Sequence, residues 1–96
     1  MMPEATIGEL CNIAVVGNQR GLHARAAAKF VKIAEAFVAE IMVVKDDMRV
    51  SARSIMGLMM LGATRGTQIK ICAIGIDAVE AVEALTEFVK RKFDEE

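Results

Sequence analysis

One side chain in this 96-residue sequence has an unperturbed pKa near neutrality, the imidazole of His23. Any acid–base or nucleophilic work by imidazole therefore falls on it. It stands in Gly21-Leu22-His23-Ala24-Arg25-Ala26-Ala27, where a glycine-containing loop meets the expected start of a helix. At a helix start the first backbone N–H groups have no helical partner, and the macrodipole presents partial positive charge. Such a place receives anions, phosphate above all. It does not stabilise an imidazolium, which is favoured at the opposite end of a helix. A neutral imidazole that takes a phosphoryl group suits it: a ring nitrogen attacks the donor, and the new anion meets the amides of Ala24 and Arg25 and the Arg25 guanidinium. Position alone also fits an ordinary capping or surface histidine.

Other chemistries find little material. Cys11 and Cys72 are too few for a disulfide framework, and neither has a CxxC partner. Both are expected as reduced, partly buried thiols. With one histidine there is no zinc-ligand set, and neither a metal nor a cofactor is expected. The N-terminal Met-Met-Pro-Glu-Ala-Thr has no basic or apolar leader region. The longest apolar run, Ile55 to Ala63, is far shorter than the ~18 residues of a membrane span. A cytoplasmic protein without membrane insertion is expected. Aromatic content of 4% and a pI of about 5.8 argue against nucleic acid.

Charge is distributed unevenly within a net −1. Residues 10–34 carry Arg20, Arg25, Lys29 and Lys32, and residues 48–76 carry Arg49, Arg53, Arg65 and Lys70, neither with an acid. Brought together, the two would make a positive face that steers an acidic partner or a phosphoryl group. Apart, they would be scattered surface charge.

The elements that must position His23 follow from periodicity. Leu10–Val16 reads as a strand, with Ile13/Val15 and Ala14/Val16 both apolar, so its buried face is open. From Ala24 the period becomes helical, with an apolar stripe of Ala27, Phe30, Val31, Ala34, Phe37 and Val38. Glu40–Lys45 and Met48–Ala52 read as strands around an Asp46-Asp47 turn. Ser54 precedes a short helix, Ile55–Leu61, stopped by Gly62. Thr67–Ala73 reads as a strand with Ile69, Ile71 and Ala73 on one face. Asp77 and Glu80 have capping-box spacing, ahead of a stripe of Val79, Val82, Leu85, Phe88 and Val89. The order is βαββαβα, and the economical packing is a two-layer α+β sandwich with one sheet face left open.

The stretch Gly21–Ala27 resembles the active-site signature of HPr, the histidine-containing phosphocarrier family of the bacterial phosphoenolpyruvate-dependent phosphotransferase system. Ser54-Ile55-Met56-Gly57-Leu58-Met59-Met60-Leu61-Gly62 resembles that family's second motif, at the family's spacing. The likeness covers about residues 9–92, and 1–96 is expected to be a single HPr domain. It implies an HPr-like open-faced sandwich with a four-stranded antiparallel sheet. It also implies that phosphorylated enzyme I passes its phosphoryl group to His23, at Nδ1, and that the group moves on to a histidine of an EIIA-type acceptor. The chain would be a carrier rather than an enzyme, acting as a monomer, with Arg25 stabilising the phosphate. A carrier should keep its cargo from water, and no carboxylate is expected beside His23.

In the second motif Ser54 is an N-cap by its position. In some HPr proteins the corresponding serine is phosphorylated by an ATP-dependent HPr kinase, so a regulatory reading stands beside the structural one. Ile55, Met56 and Met59 are core or an exposed patch, and the resemblance favours a patch, joined with Ala24, Ala28, Lys29 and Lys32 as the partner interface. Leu58 and Leu61 are core candidates. Ala26 replaces the proline of many members, which leaves a less rigid helix start. The wording around Arg20 resembles proteobacterial forms, including those of the nitrogen-related branch, so the acceptor is a sugar-permease EIIA or a regulatory nitrogen-type EIIA.

Overall fold

The computed structural model describes residues 8–95. The N-terminal stretch read above as lacking a leader lies outside them. Four elements fall within a residue of the pattern, β1 (Leu10–Val15), β3 (Met48–Ser51), α2 (Ile55–Met60) and β4 (Gln68–Ile74), and α3 (Ala78–Lys90) starts directly after Asp77. β2 (Glu40–Lys45) coincides with the pattern. α1 runs Ala24–Ala34, and one tight turn, Lys92–Asp94, follows α3. The strands form one sheet in the order β1-β4-β2-β3, and every neighbouring pair is antiparallel.

The helices cover one face. Ala14, Ile41, Val43, Ile69, Ile71 and Ala73 point into a core closed by Phe30, Val31, Leu58, Val82, Leu85, Phe88 and Val89. This resolves β1: Ala14 and Val16 are buried, while Ile13 and Val15 lie on the open face. Among the described residues, no helix is long and apolar enough to cross a membrane.

Three expectations are corrected by contacts distant in sequence. The α1 stripe stops early, leaving Phe37 half-buried and Val38 81% exposed. The Arg53 guanidinium donates to the carbonyls of Ala34, Phe37 and Ala39. The Asp77 carboxylate accepts from Val38 N at 2.9 Å and Ala39 N at 2.8 Å. The backbone beyond Ala34 is thus satisfied without further helix. The same contacts explain the second correction: Asp77 stands at the N-cap of α3 but makes no side-chain cap. Val79 is correspondingly half-exposed rather than part of the core stripe.

The third concerns the cysteines. β1–β4 register places Cys11 directly opposite Cys72, with Cα atoms 4.0 Å apart, and the two form a disulfide instead of free thiols. Glu9 brings a third potential ligand atom within 4.8 Å of the sulfurs, which are already bonded to each other.

Candidate functional site

The loop before α1 is shaped by Asn18 and Gly21. Asn18 is fully buried, and its amide nitrogen donates to Gly21 O and to a Glu95 carboxylate oxygen, both at 2.8 Å. Both partners are acceptors, which fixes the orientation of the amide. Gly21 adopts φ +68, and a Cβ there would stand 2.5 Å from Ala63 O. Only glycine fits. The close approach lets Leu22 N donate to the same carbonyl at 3.0 Å, which ties the loop to the segment after α2.

This holds His23 as the N-cap of α1, with extended backbone (φ −81, ψ −179). Its Nδ1 accepts from the Arg25 backbone N–H at 3.3 Å, and its carbonyl accepts from Ala27 N at 2.8 Å. Arg20, Arg25 and Lys29 line a shallow cleft here, with Gln19, Asp94 and Glu95. Ala24, Arg25, Ala28 and Lys32 are exposed, Lys29 is half-buried and Ala26 is fully buried.

Sequence reasoning missed Glu95. Its carboxylate bonds His23 Nε2, contrary to the expectation that no carboxylate neighbours the imidazole. Burial raises the Glu95 carboxyl, but hydrogen bonds from Asn18 and His23, with the charges of His23 and Lys29, outweigh this and leave it below its ordinary value. Phe93 anchors the approach: fully buried, it packs edge-to-face on Phe88 with ring centroids 5.4 Å apart. Lys29 Nζ also donates to Phe93 O at 3.3 Å. Lys92, Phe93 and Asp94 all carry φ of 55 to 59, a left-handed conformation disfavoured by roughly 1–2 kcal/mol for each such residue. No local pattern announces this turn.

The second motif is built as read at its start. Ser54 caps α2, its Oγ accepting from Gly57 N at 2.9 Å. Leu58 and Leu61 are buried, whereas Ile55, Met56, Met59 and also Met60 are exposed. Met60 escaped the sequence reading, although it stands one helical turn from Met56. Three cations of the second basic segment, Arg49, Arg53 and Lys70, stand apart from those of the first. Arg20, Arg25 and Lys29 meet at the cleft, while Arg49 pairs with Glu9 at 2.6 Å, Arg53 closes the end of α1, and Lys70 lies on β4's open side.

Fold and site together define a class, the open-faced βαββαβα sandwich that presents a histidine at the start of its first helix. Residues 11–91 match the family model described as the phosphorylation site of the HPr component of the phosphotransferase system. The phosphocarrier protein HPr of Neisseria meningitidis serogroup A is 49% identical over 78 residues, which span 81% of this chain and 88% of that protein. The phosphocarrier protein NPr of Shewanella violacea is 44% identical, over 81% of this chain and 86% of its own. The crystal structure of HPr-C-His from Thermoanaerobacter tengcongensis superposes with a TM-score of 0.86 at 44% identity, covering 91% of this chain and 98% of that one. The chain belongs to the HPr family and is a phosphocarrier component of the phosphotransferase system.

Proposed function

We propose that His23 accepts a phosphoryl group at Nδ1 from phosphorylated enzyme I and hands it to a histidine of an EIIA-type acceptor. The observation that carries this is the placement of His23 as the cap of α1, its ring bonded to Glu95 of the cleft that Arg20, Arg25 and Lys29 line. Phosphoryl transfer depends on positioning and charge stabilisation more than on covalent machinery. Nδ1 presents a lone pair to the Arg25 N–H, and after transfer that N–H can bond a phosphoryl oxygen.

The partners dock on Ala24, Ala28, Lys29 and Lys32 of α1 and on Ile55, Met56 and Met59 of α2. Exposure of this set, Lys29 excepted, supports that reading, and flexible Met side chains suit a surface that must fit several partners. Ser54 is a second, regulatory acceptor for an HPr kinase/phosphorylase, where phosphate would add about −2 charge beside the docking surface. The chain works in the cytoplasm as a monomeric single HPr domain, an extent supported by the family match over 11–91. Likeness to the Shewanella violacea NPr favours a second reading, a nitrogen-branch carrier acting through phosphorylation-dependent binding.

Purified enzyme I and phosphoenolpyruvate should label the protein in acid-labile, base-stable form, and His23→Ala should abolish the label. Label persisting in that variant would overturn the assignment.

A further inference from the structure

Transfer to and from His23 does not by itself call for Glu95, yet the chain turns through three left-handed residues to bring that carboxylate onto the imidazole. Strained backbone of this kind persists only where its surroundings hold it. Here the buried Phe93 ring, the Lys29 bond to Phe93 O and the Asn18 bond to Glu95 do so.

The two ring contacts have a joint meaning. A backbone N–H can only donate, and an ionised carboxylate can only accept. Arg25 N–H on Nδ1 and Glu95 on Nε2 are therefore both satisfied by one neutral tautomer, with the proton on Nε2 and the lone pair on Nδ1. We propose that Glu95 is a positioning residue for phosphoryl transfer, holding His23 with Nδ1 unprotonated, its lone pair able to leave the Arg25 N–H and attack, and facing the charge the ring acquires. The inference rests on the carrier function proposed above and names a further residue for it.

In the step, the Nδ1 lone pair forms the N–P bond as the donor's bond to phosphorus breaks, and that bond's electron pair leaves with the donor atom. No proton needs to move. The Nε2 proton stays in place, so the phosphorylated ring is cationic, and the Glu95 carboxylate lies against it. A carboxylate that orients an imidazole and stabilises its cation is an established catalytic device. Arg20, Arg25 and Lys29 are the cations of the same cleft, and Asp94 is already paired with Arg91.

The test uses phosphoramidate, a small P–N donor that needs no enzyme I, on the wild-type chain and on Glu95→Gln, Glu95→Asp and Glu95→Ala. Amide spectra verify that each variant is folded. Ring titration of phosphorylated His23, followed by 31P and proton NMR, should fall by about one pH unit in Glu95→Gln. The phosphorylation rate should drop roughly tenfold. Glu95→Asp, which keeps the charge, should recover part of both. Equal titration and equal rates in wild type and Glu95→Gln would overturn the proposal. If enzyme I fails to label the wild type while the phosphoramidate product still shows the titration shift, the carrier reading falls and the role of Glu95 toward a phosphorylated ring stands.

Discussion

His23 and Ser54 perform the same local task on different helices: each turns a side-chain acceptor toward an orphan N–H in a first turn. Such caps are legible in sequence because donor and acceptor lie two or three residues apart. Glu95 and Asn18 were not legible for the opposite reason. The Glu95 contacts span 72 residues to His23 and 77 to Asn18, and neither belongs to a periodic pattern. The cap on α2 permits a clean prediction. Ser54→Ala should lower stability by about 1 kcal/mol, seen as a reduced urea midpoint, while His23 labelling by enzyme I continues. An unchanged midpoint would mean that the hydroxyl contributes nothing as a cap.

At the scale of elements, the apolar stripe of α1 was readable and its end was not. Periodicity carried the helix on to Val38, but Arg53 and Asp77 claim the backbone there from two other parts of the chain. The Asp77–Glu80 spacing looked like a box for the same reason, since spacing cannot show that a carboxylate is engaged elsewhere. Asp77 is held below its ordinary value of 3.8 by hydrogen bonding from Val38, against desolvation, with Ala39 and the charge of Arg53 assisting. The fold thus favours the ionised form. Its contribution is present above the ordinary carboxylate value and is lost as pH falls through the lowered folded one. Asp77→Ala should therefore be less stable than wild type at pH 7, and the difference should shrink as the solution is acidified toward pH 3. Urea midpoints at the two pH values check this, and an equal deficit at both would refute it.

For the whole molecule, element order and sandwich class were legible because hairpin turns and amphipathic stripes are local. The Cys11–Cys72 bond was not, since it depends on a pairing across 61 residues. Charge separates in the same way: the first basic segment gathers on and beside α1, while Arg49, Arg53 and Lys70 of the second are placed elsewhere. Association with enzyme I should slow as salt rises past 0.1 M, where the screening length is about 10 Å. Lys32→Gln should flatten that dependence and Lys70→Gln should leave it unchanged, as stopped-flow rates would show. A salt-independent rate in the wild type would remove any steering role for the α1 cations.

The strand order β1-β4-β2-β3 also sets a timetable for the ribosome. β1 precedes the other three strands, yet its sheet neighbour among the described residues, β4, comes only after two helices and a hairpin have been made. Until then its N–H and C=O groups have no strand to meet, and Cys11 has no thiol opposite. The β2–β3 hairpin, by contrast, is complete in a single short stretch of chain. The nascent protein must therefore carry β1 unpaired until β4 has been made, and the sheet closes on the earliest of its four strands.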